Sequence, residues 1–290
     1  MKHIFSLLFA AGLVIVAGSC SRTTPPQAAN RKTPSRQGYA AVNGIRMYYE
    51  VHGSGKPLVL VHGGGSMIPV TFGAILPLLA QQHQVIAVEL QGHGRTSDRP
   101  APESFTQDAA DVIGLLDQLK IKKASLFGFS NGANTAMQAA INHPERIHKL
   151  VLASVFFRRE GLIPGLFGML RGASLAQMPE PLKKAFLAVN PDSAALENMH
   201  NKDRDRMLAV KDWPAEEIAG ISAPTLLLLS DRDVVTPEHA VEMFRLLPKA
   251  QLNIQPGLHG ACIGDVSSGS AKPERVRATA SLVNDFLTAK

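Results

Sequence analysis

The run Ala124-Ser125-Leu126-Phe127-Gly128-Phe129-Ser130-Asn131-Gly132-Ala133-Asn134-Thr135-Ala136-Met137 decides how this chain is read. Its first half is a short, almost wholly apolar stretch of strand composition. Its second half, 132–142, is a helical stretch. Between the two lies Gly-x-Ser-x-Gly, at Gly128, Ser130 and Gly132. A strand that turns directly into a helix needs small residues on both sides of the turn. Such a turn holds the Ser130 hydroxyl outward at the end of the strand and leaves the Asn131 N–H at a helix start, where negative charge is favoured.

Working outward, Ile45–Val51 has strand composition, continuous apolar runs recur at Pro57–Val61, Val85–Val88, Leu150–Ala153 and Thr225–Leu229, and 251–255 reads as the last strand. Continuous apolar runs mark strands buried on both faces, as in a parallel sheet covered by helices. Helical patterns alternate with them. Phe105, Val112, Leu115, Leu116 and Leu119 form one face of 105–120, and Val276, Ala280, Val283 and Leu287 one face of 273–288. Thr236-Pro237-Glu238 opens a third helix with a capping residue and proline in the first turn. The alternation predicts an α/β fold, a mostly parallel doubly wound sheet. It breaks between about 157 and 220. That stretch holds Pro164, Pro179, Pro181, Pro191 and Pro214, the sole Trp (Trp213) and Met169, Met178, Met199 and Met207. It reads as a helical insertion above the sheet, with most of these side chains packing and some lining a substrate pocket.

Other polar residues stand at predicted strand ends. Leu60-Val61-His62-Gly63-Gly64-Gly65 closes an early strand, and its glycines let backbone N–H groups approach a substrate. His62 is expected to orient this loop. Ser230-Asp231-Arg232-Asp233 follows the strand at 225–229, and either Asp could orient a histidine there. His259 lies in Pro256-Gly257-Leu258-His259-Gly260, a loop free to bring it toward Ser130. Glu89-Leu90-Gln91-Gly92-His93-Gly94-Arg95 reads as a structural turn beside the site, and Cys262 as a packing thiol. The ten histidines and two cysteines form neither HExxH nor a compact ligand set, so no metal or cofactor is expected.

Together, LVHGGG at 60–65, ELQGHGRTS at 89–97, GFSNG at 128–132, SDRDVVTPEHA at 230–240 and PGLHG at 256–260 resemble the α/β-hydrolase superfamily. The resemblance implies a nucleophile elbow at Gly128–Gly132 and a triad of Ser130, Asp233 and His259, which selects Asp233 over Asp231. It implies oxyanion donors at Gly64 and Asn131. It also implies a core at 39–156 and 221–290 with a helical cap at 157–220. Ser130 in place of a nucleophilic Asp argues against dehalogenase and epoxide hydrolase chemistry. The expected activity is cleavage of a carboxylic ester of small or medium size through an acyl-enzyme. A lactonase, a C–C bond hydrolase or a perhydrolase would use the same triad, and a non-catalytic binding module could retain the fold.

Charge and the N-terminal segment concern location. Residues 1–38 hold Lys2, Arg22, Arg31, Lys32 and Arg36 and no acid, so they carry +5 of the chain's +6. The remaining +1 offers no general attraction to a phosphate backbone, and no nucleic-acid partner is expected. A cationic start, the apolar run Ile4–Ala17 and small residues before Cys20 are the layout of an export signal, too short to span a bilayer. Val16-Ala17-Gly18-Ser19-Cys20 resembles a bacterial lipobox. That resemblance implies a signal peptide at 1–19, lipid on Cys20, a flexible tether over 20–38, and an exported protein touching a membrane through its lipid alone. A soluble periplasmic protein and an uncleaved membrane anchor are the alternatives.

Overall fold

A computed structural model describes residues 34–289. The expected signal, Cys20 and most of the tether lie outside these residues. Eight strands form one sheet: β1 (Arg36–Val42), β2 (Ile45–His52), β3 (Lys56–Val61), β4 (His83–Val88), β5 (Ala124–Phe129), β6 (Ile147–Ala153), β7 (Thr225–Arg232) and β8 (Ala250–Leu258). Their spatial order is β1-β2-β4-β3-β5-β6-β7-β8. β1, β2 and β4 pair antiparallel, and every pairing from β4 onward is parallel. The α/β fold predicted from the alternation is the one observed.

The helices, in chain order, are α1 (Ile68–Thr71), α2 (Leu76–Leu79), α3 (Phe105–Gln118), α4 (Asn131–Asn142), α5 (Leu166–Arg171), α6 (Glu180–Val189), α7 (Ser193–Ala209), α8 (Ala215–Ala219), α9 (Pro237–Leu246) and α10 (Pro273–Thr288). Strand side chains alternate faces, and β3 shows what each face meets. Val59 and Val61 join a core with Val112 and Leu116 of α3, Met137 of α4 and Met243 of α9. Leu58 and Leu60 join a second core with Leu79 of α2 and Val283 and Phe286 of α10. Both faces are dry, which is why β3, β5 and β6 read as unbroken apolar runs. α3 and α9 begin where side-chain caps sit: Ser104 Oγ accepts from the Gln107 N–H, and Thr236 Oγ1 from the His239 N–H.

Two boundaries differ from the sequence reading. Arg36–Gly38, assigned to the tether, are the first residues of β1. β1 is an edge strand with only Ala40 and Val42 buried, so its composition is half polar and lacks the signature of its neighbours. The expected cap also ends earlier than 220. α5, α6 and α7 fall between β6 and β7, and Met178, Leu182, Phe186, Leu196 and Met199 pack with Met67 and Val70. α8 instead sends Ile218 into the core shared with α3 and α4. Trp213 is likewise a packing residue between Phe105 and Phe156, and its indole N–H donates to Gln138 Oε1 at 2.8 Å.

Candidate active site

Ser130 stands between β5 and α4 with φ 53° and ψ −123°, a left-handed conformation rare for a residue with a side chain. The turn is enforced from both sides. A Cβ on Gly128 would strike the Gly132 carbonyl, and one on Gly132 would strike the carbonyls of Val61 and His62. The Ser130 N–H is held by the Ala153 carbonyl of β6 at 2.8 Å. The outward aim of the hydroxyl therefore follows from backbone packing between the strands and α4.

The loop after β8 brings His259 to this serine. His259 Nε2 is 3.1 Å from Ser130 Oγ, and its Nδ1 is 2.6 Å from Asp233 Oδ1. The ring lies against Phe129, centroid to centroid 4.6 Å. Asp233 is buried, with a full set of donors. Its Oδ1 accepts from the Val234 N–H at 2.7 Å, and its Oδ2 accepts from the Ser154 hydroxyl at 2.7 Å. Burial alone would raise its pKa, but these donors and His259 overcome that and hold the carboxyl below its ordinary value. Asp231 is directed elsewhere and accepts from the Gly257 N–H at 2.8 Å, bracing the loop that carries His259. Of the two Asp residues left open by composition, Asp233 meets the histidine.

The glycine loop lies across the elbow. A Cβ on Gly63 would be 3.4 Å from Ser130 Cβ, and one on Gly64 would collide with the Asn131 amide nitrogen. Among the described residues, neither the Gly64 nor the Asn131 backbone N–H has a hydrogen-bond partner, so both remain available to an oxygen at Ser130. His62 orients the loop as expected. Its Nε2 accepts from the Leu90 N–H at 3.0 Å and its Nδ1 donates to the Gly63 carbonyl at 2.8 Å. Accepting at one nitrogen requires a neutral ring. Burial first, then the neighbouring His93, pushes its pKa down to about 3.

A cluster that sequence reading did not pick out lies beside the loop. His93, Glu103, Asp108, Asp203 and Arg206 are all buried. Asp203, on α7, accepts from the Gly65 N–H and from Arg206, stands 2.9 Å from His93 Nε2, and is 3.5 Å from Asn131 Nδ2. Arg206 also binds Asp108. Burial opposes the Asp203 charge, but Arg206, His93 and the Gly65 N–H hold its pKa well below the carboxylate range. For His93 too, burial works against the charged ring, and Asp203 lifts its pKa to about 9. Burial, reinforced by Asp203, raises Glu103 to about 8. The run His200-Asn201-Lys202-Asp203-Arg204-Asp205-Arg206 looks like a solvated helix face, and the burial of Asp203 and Arg206 follows only from docking against residues about 100 positions earlier. Ser154 was also missed. Its one local signal is a polar residue directly after a buried strand.

A cavity of about 350 Å³ opens over Ser130, walled by Asn131, Leu170, Met178, Leu182, Met207 and Val234 among others. Met178 and Met207 thus line the pocket, while Met199 is fully buried in cap packing. Cys262, the one cysteine among the described residues, is buried. Burial, then the Asp233 charge, pushes its thiol up to about 12, which leaves it protonated and inert. Among the described residues no group of three or more His, Cys, Asp or Glu side chains is placed to hold a metal ion.

Residues 56–177 match the family model described as the alpha/beta hydrolase fold. The chain is 27% identical over 219 residues to a provisionally assigned carbamate hydrolase, RutD, of Azorhizobium caulinodans, covering 69% of this chain and 82% of that one. It is 38% identical over 113 residues to a 2-hydroxymuconate semialdehyde hydrolase of Pseudomonas sp. strain CF600, covering 38% of this chain and 40% of the other. The solved structure of a meta-cleavage product hydrolase, CumD, of Pseudomonas fluorescens superposes with TM-score 0.70 at 22% identity, over 88% of this chain and 97% of that one. Sheet order, elbow and matched segment converge on the alpha/beta hydrolase fold, and the proteins that the chain resembles are hydrolases.

Proposed function

We propose that the chain is a serine hydrolase that cleaves a carboxylic ester of a small or medium-sized substrate. The observation that carries this reading is the unbroken hydrogen-bonded line from Ser130 through His259 to Asp233, ending under a cavity of about 350 Å³. His259 Nε2 takes the proton as Ser130 Oγ attacks the carbonyl carbon. Asp233 fixes the other ring nitrogen as a donor and stabilises the imidazolium that forms. The N–H groups of Gly64 and Asn131 hold the developing oxyanion, each contributing roughly 3 kcal/mol. His259 returns the proton to the departing alcohol, then draws one from water, which attacks the acyl-enzyme and frees Ser130 and the acid.

Hydrolysis of p-nitrophenyl acetate by wild type and Ser130→Ala tests the reading. Wild type turns over and the variant does not. Equal rates in both would end it. A second reading, C–C bond hydrolysis by the same triad, takes its support from the similarity to a 2-hydroxymuconate semialdehyde hydrolase. Turnover of a meta-cleavage product in preference to p-nitrophenyl esters would favour it.

For location, we propose export with lipid on Cys20, supported by the order of charge, apolar run and small residues over 1–20. Radiolabelled palmitate incorporated by wild type and lost in Cys20→Ala would bear this out. An unlabelled wild type would refute it.

A further inference from the structure

We propose that Asp203, carried on the cap helix α7, is a positioning residue that locks the oxyanion loop: its carboxylate ties the Gly65 N–H to the cap and is itself held by His93 and Arg206. The inference rests on the serine-hydrolase reading above and assigns the cap a part in it.

Both carboxylate oxygens of Asp203, which also borders the cavity, are engaged. Oδ2 takes the Gly65 N–H and faces His93 Nε2 at 2.9 Å, while Oδ1 takes Arg206 and lies 3.5 Å from Asn131 Nδ2. These donors come from the glycine loop, the turn after β4, the elbow and α7 itself. Gly64, the oxyanion donor of the serine-hydrolase reading, has Gly65 as its neighbour, and a Cβ on Gly64 would stand 3.2 Å from Asp203 Oδ2. If α7 withdrew, the Gly65 N–H would lose its partner and the glycine loop would recover its freedom.

A carboxylate this close to a developing oxyanion would repel it unless its charge were neutralised. His93 supplies part of that neutralisation, and its charge follows from its partners. Nδ1 is 2.8 Å from the Gln91 carbonyl and Nε2 is 2.9 Å from the Asp203 carboxylate. Both partners are acceptors, so both ring nitrogens must carry protons. The other groups facing this ring are neutral His62, Arg206, Glu103 and Asp108. Loss of the His93 proton, near pH 9, would remove a donor from Asp203 and leave the anion less compensated beside the oxyanion site.

The test measures kcat, KM and their pH dependence on a p-nitrophenyl ester for wild type, Asp203→Ala, Asp203→Asn and Ser130→Ala. Removing one oxyanion donor costs about 100-fold or more in kcat. Asp203→Ala should therefore lose about 100-fold in kcat with little change in KM. Asp203→Asn keeps an acceptor for the Gly65 N–H and should recover roughly tenfold of that loss. Wild-type kcat should decline above about pH 9, and in Asp203→Asn that decline should move to lower pH, because His93 then faces Arg206 without its anion. The wild-type profile needs no variant to fold. A flat wild-type kcat from pH 7.5 to 10 overturns the proposal, as does wild-type kcat in both Asp203 variants. A rise in KM alone also overturns it, since it would make Asp203 a pocket wall. Activity retained in Ser130→Ala would instead bring down the hydrolase reading, and this role with it. Activity lost in Ser130→Ala but unaltered in both Asp203 variants brings down this role alone.

Discussion

Two histidine–aspartate pairs flank the same glycine loop, and they are built for opposite purposes. In the pair made by His259 and Asp233 the far ring nitrogen faces a hydroxyl, Ser130, which can donate or accept. In the pair made by His93 and Asp203 the far nitrogen faces the Gln91 carbonyl, which can only accept. The His259 side chain is 28% exposed, whereas that of His93 is 0% exposed. A carboxylate beside an imidazole therefore does not define a base. The third partner does: a hydroxyl lets the ring exchange a proton, and a carbonyl keeps it a cation.

The comparison can be broken most severely at the exchanging pair. Ser130→Ala or His259→Ala should cut kcat for p-nitrophenyl acetate by about 10⁴–10⁶, the range for removing a triad member. Asp233→Asn keeps the shape but offers His259 the wrong hydrogen-bonding face, and should cost roughly 10⁴ in kcat. Its neighbour sharpens the point. Asp231→Asn removes only a charge from the brace on Gly257 and should change kcat less than about tenfold.

The fixed pair should show itself in stability. The folded protein raises His93 from 6.5 to about 9, so the stability this ring confers is complete below pH 6.5 and lost as pH rises through 9. Glu103, raised from 4.5 to about 8, acts in the same direction: its stabilised form is the neutral acid, present at low pH and lost as pH passes 8. Thermal unfolding followed by circular dichroism should show the melting temperature falling by several degrees between pH 6.5 and 9.5. A melting temperature unchanged across that window would mean His93 is not a cation in the fold. The smallest effect is expected at Cys262, which neither pair uses. Cys262→Ala should cost no more than about 1 kcal/mol in urea unfolding and leave kcat unaltered, and the native thiol should resist iodoacetamide at pH 8.

Much of the exchanging pair was legible in the sequence. Ser130 and Asp233 sit directly after strands whose apolar runs are conspicuous, His259 follows a strand of mixed composition, and the glycines at 128, 132, 257 and 260 mark turns where the backbone must bend sharply. The fixed pair was not legible. His93 lies in a Gly-rich turn that needs no further purpose, and Asp203 lies among charges that a solvated helix would carry equally well. Their partnership spans 110 positions and exists only because α7 folds down over the glycine loop. β1 was hidden for a related reason, since an edge strand with one wet face lacks the apolar run that identified its neighbours.

The contact between Ser130 and His259 joins residues 129 positions apart. At translation rates of about 5–20 residues per second, the serine emerges roughly 6–26 s before its histidine. β3, β4, β5 and α4 can shape the elbow during that interval, yet the hydroxyl has nothing to take its proton. On the serine-hydrolase reading, the nascent chain would be inert toward esters around it, and reactivity would begin only when the last part of the sheet closes.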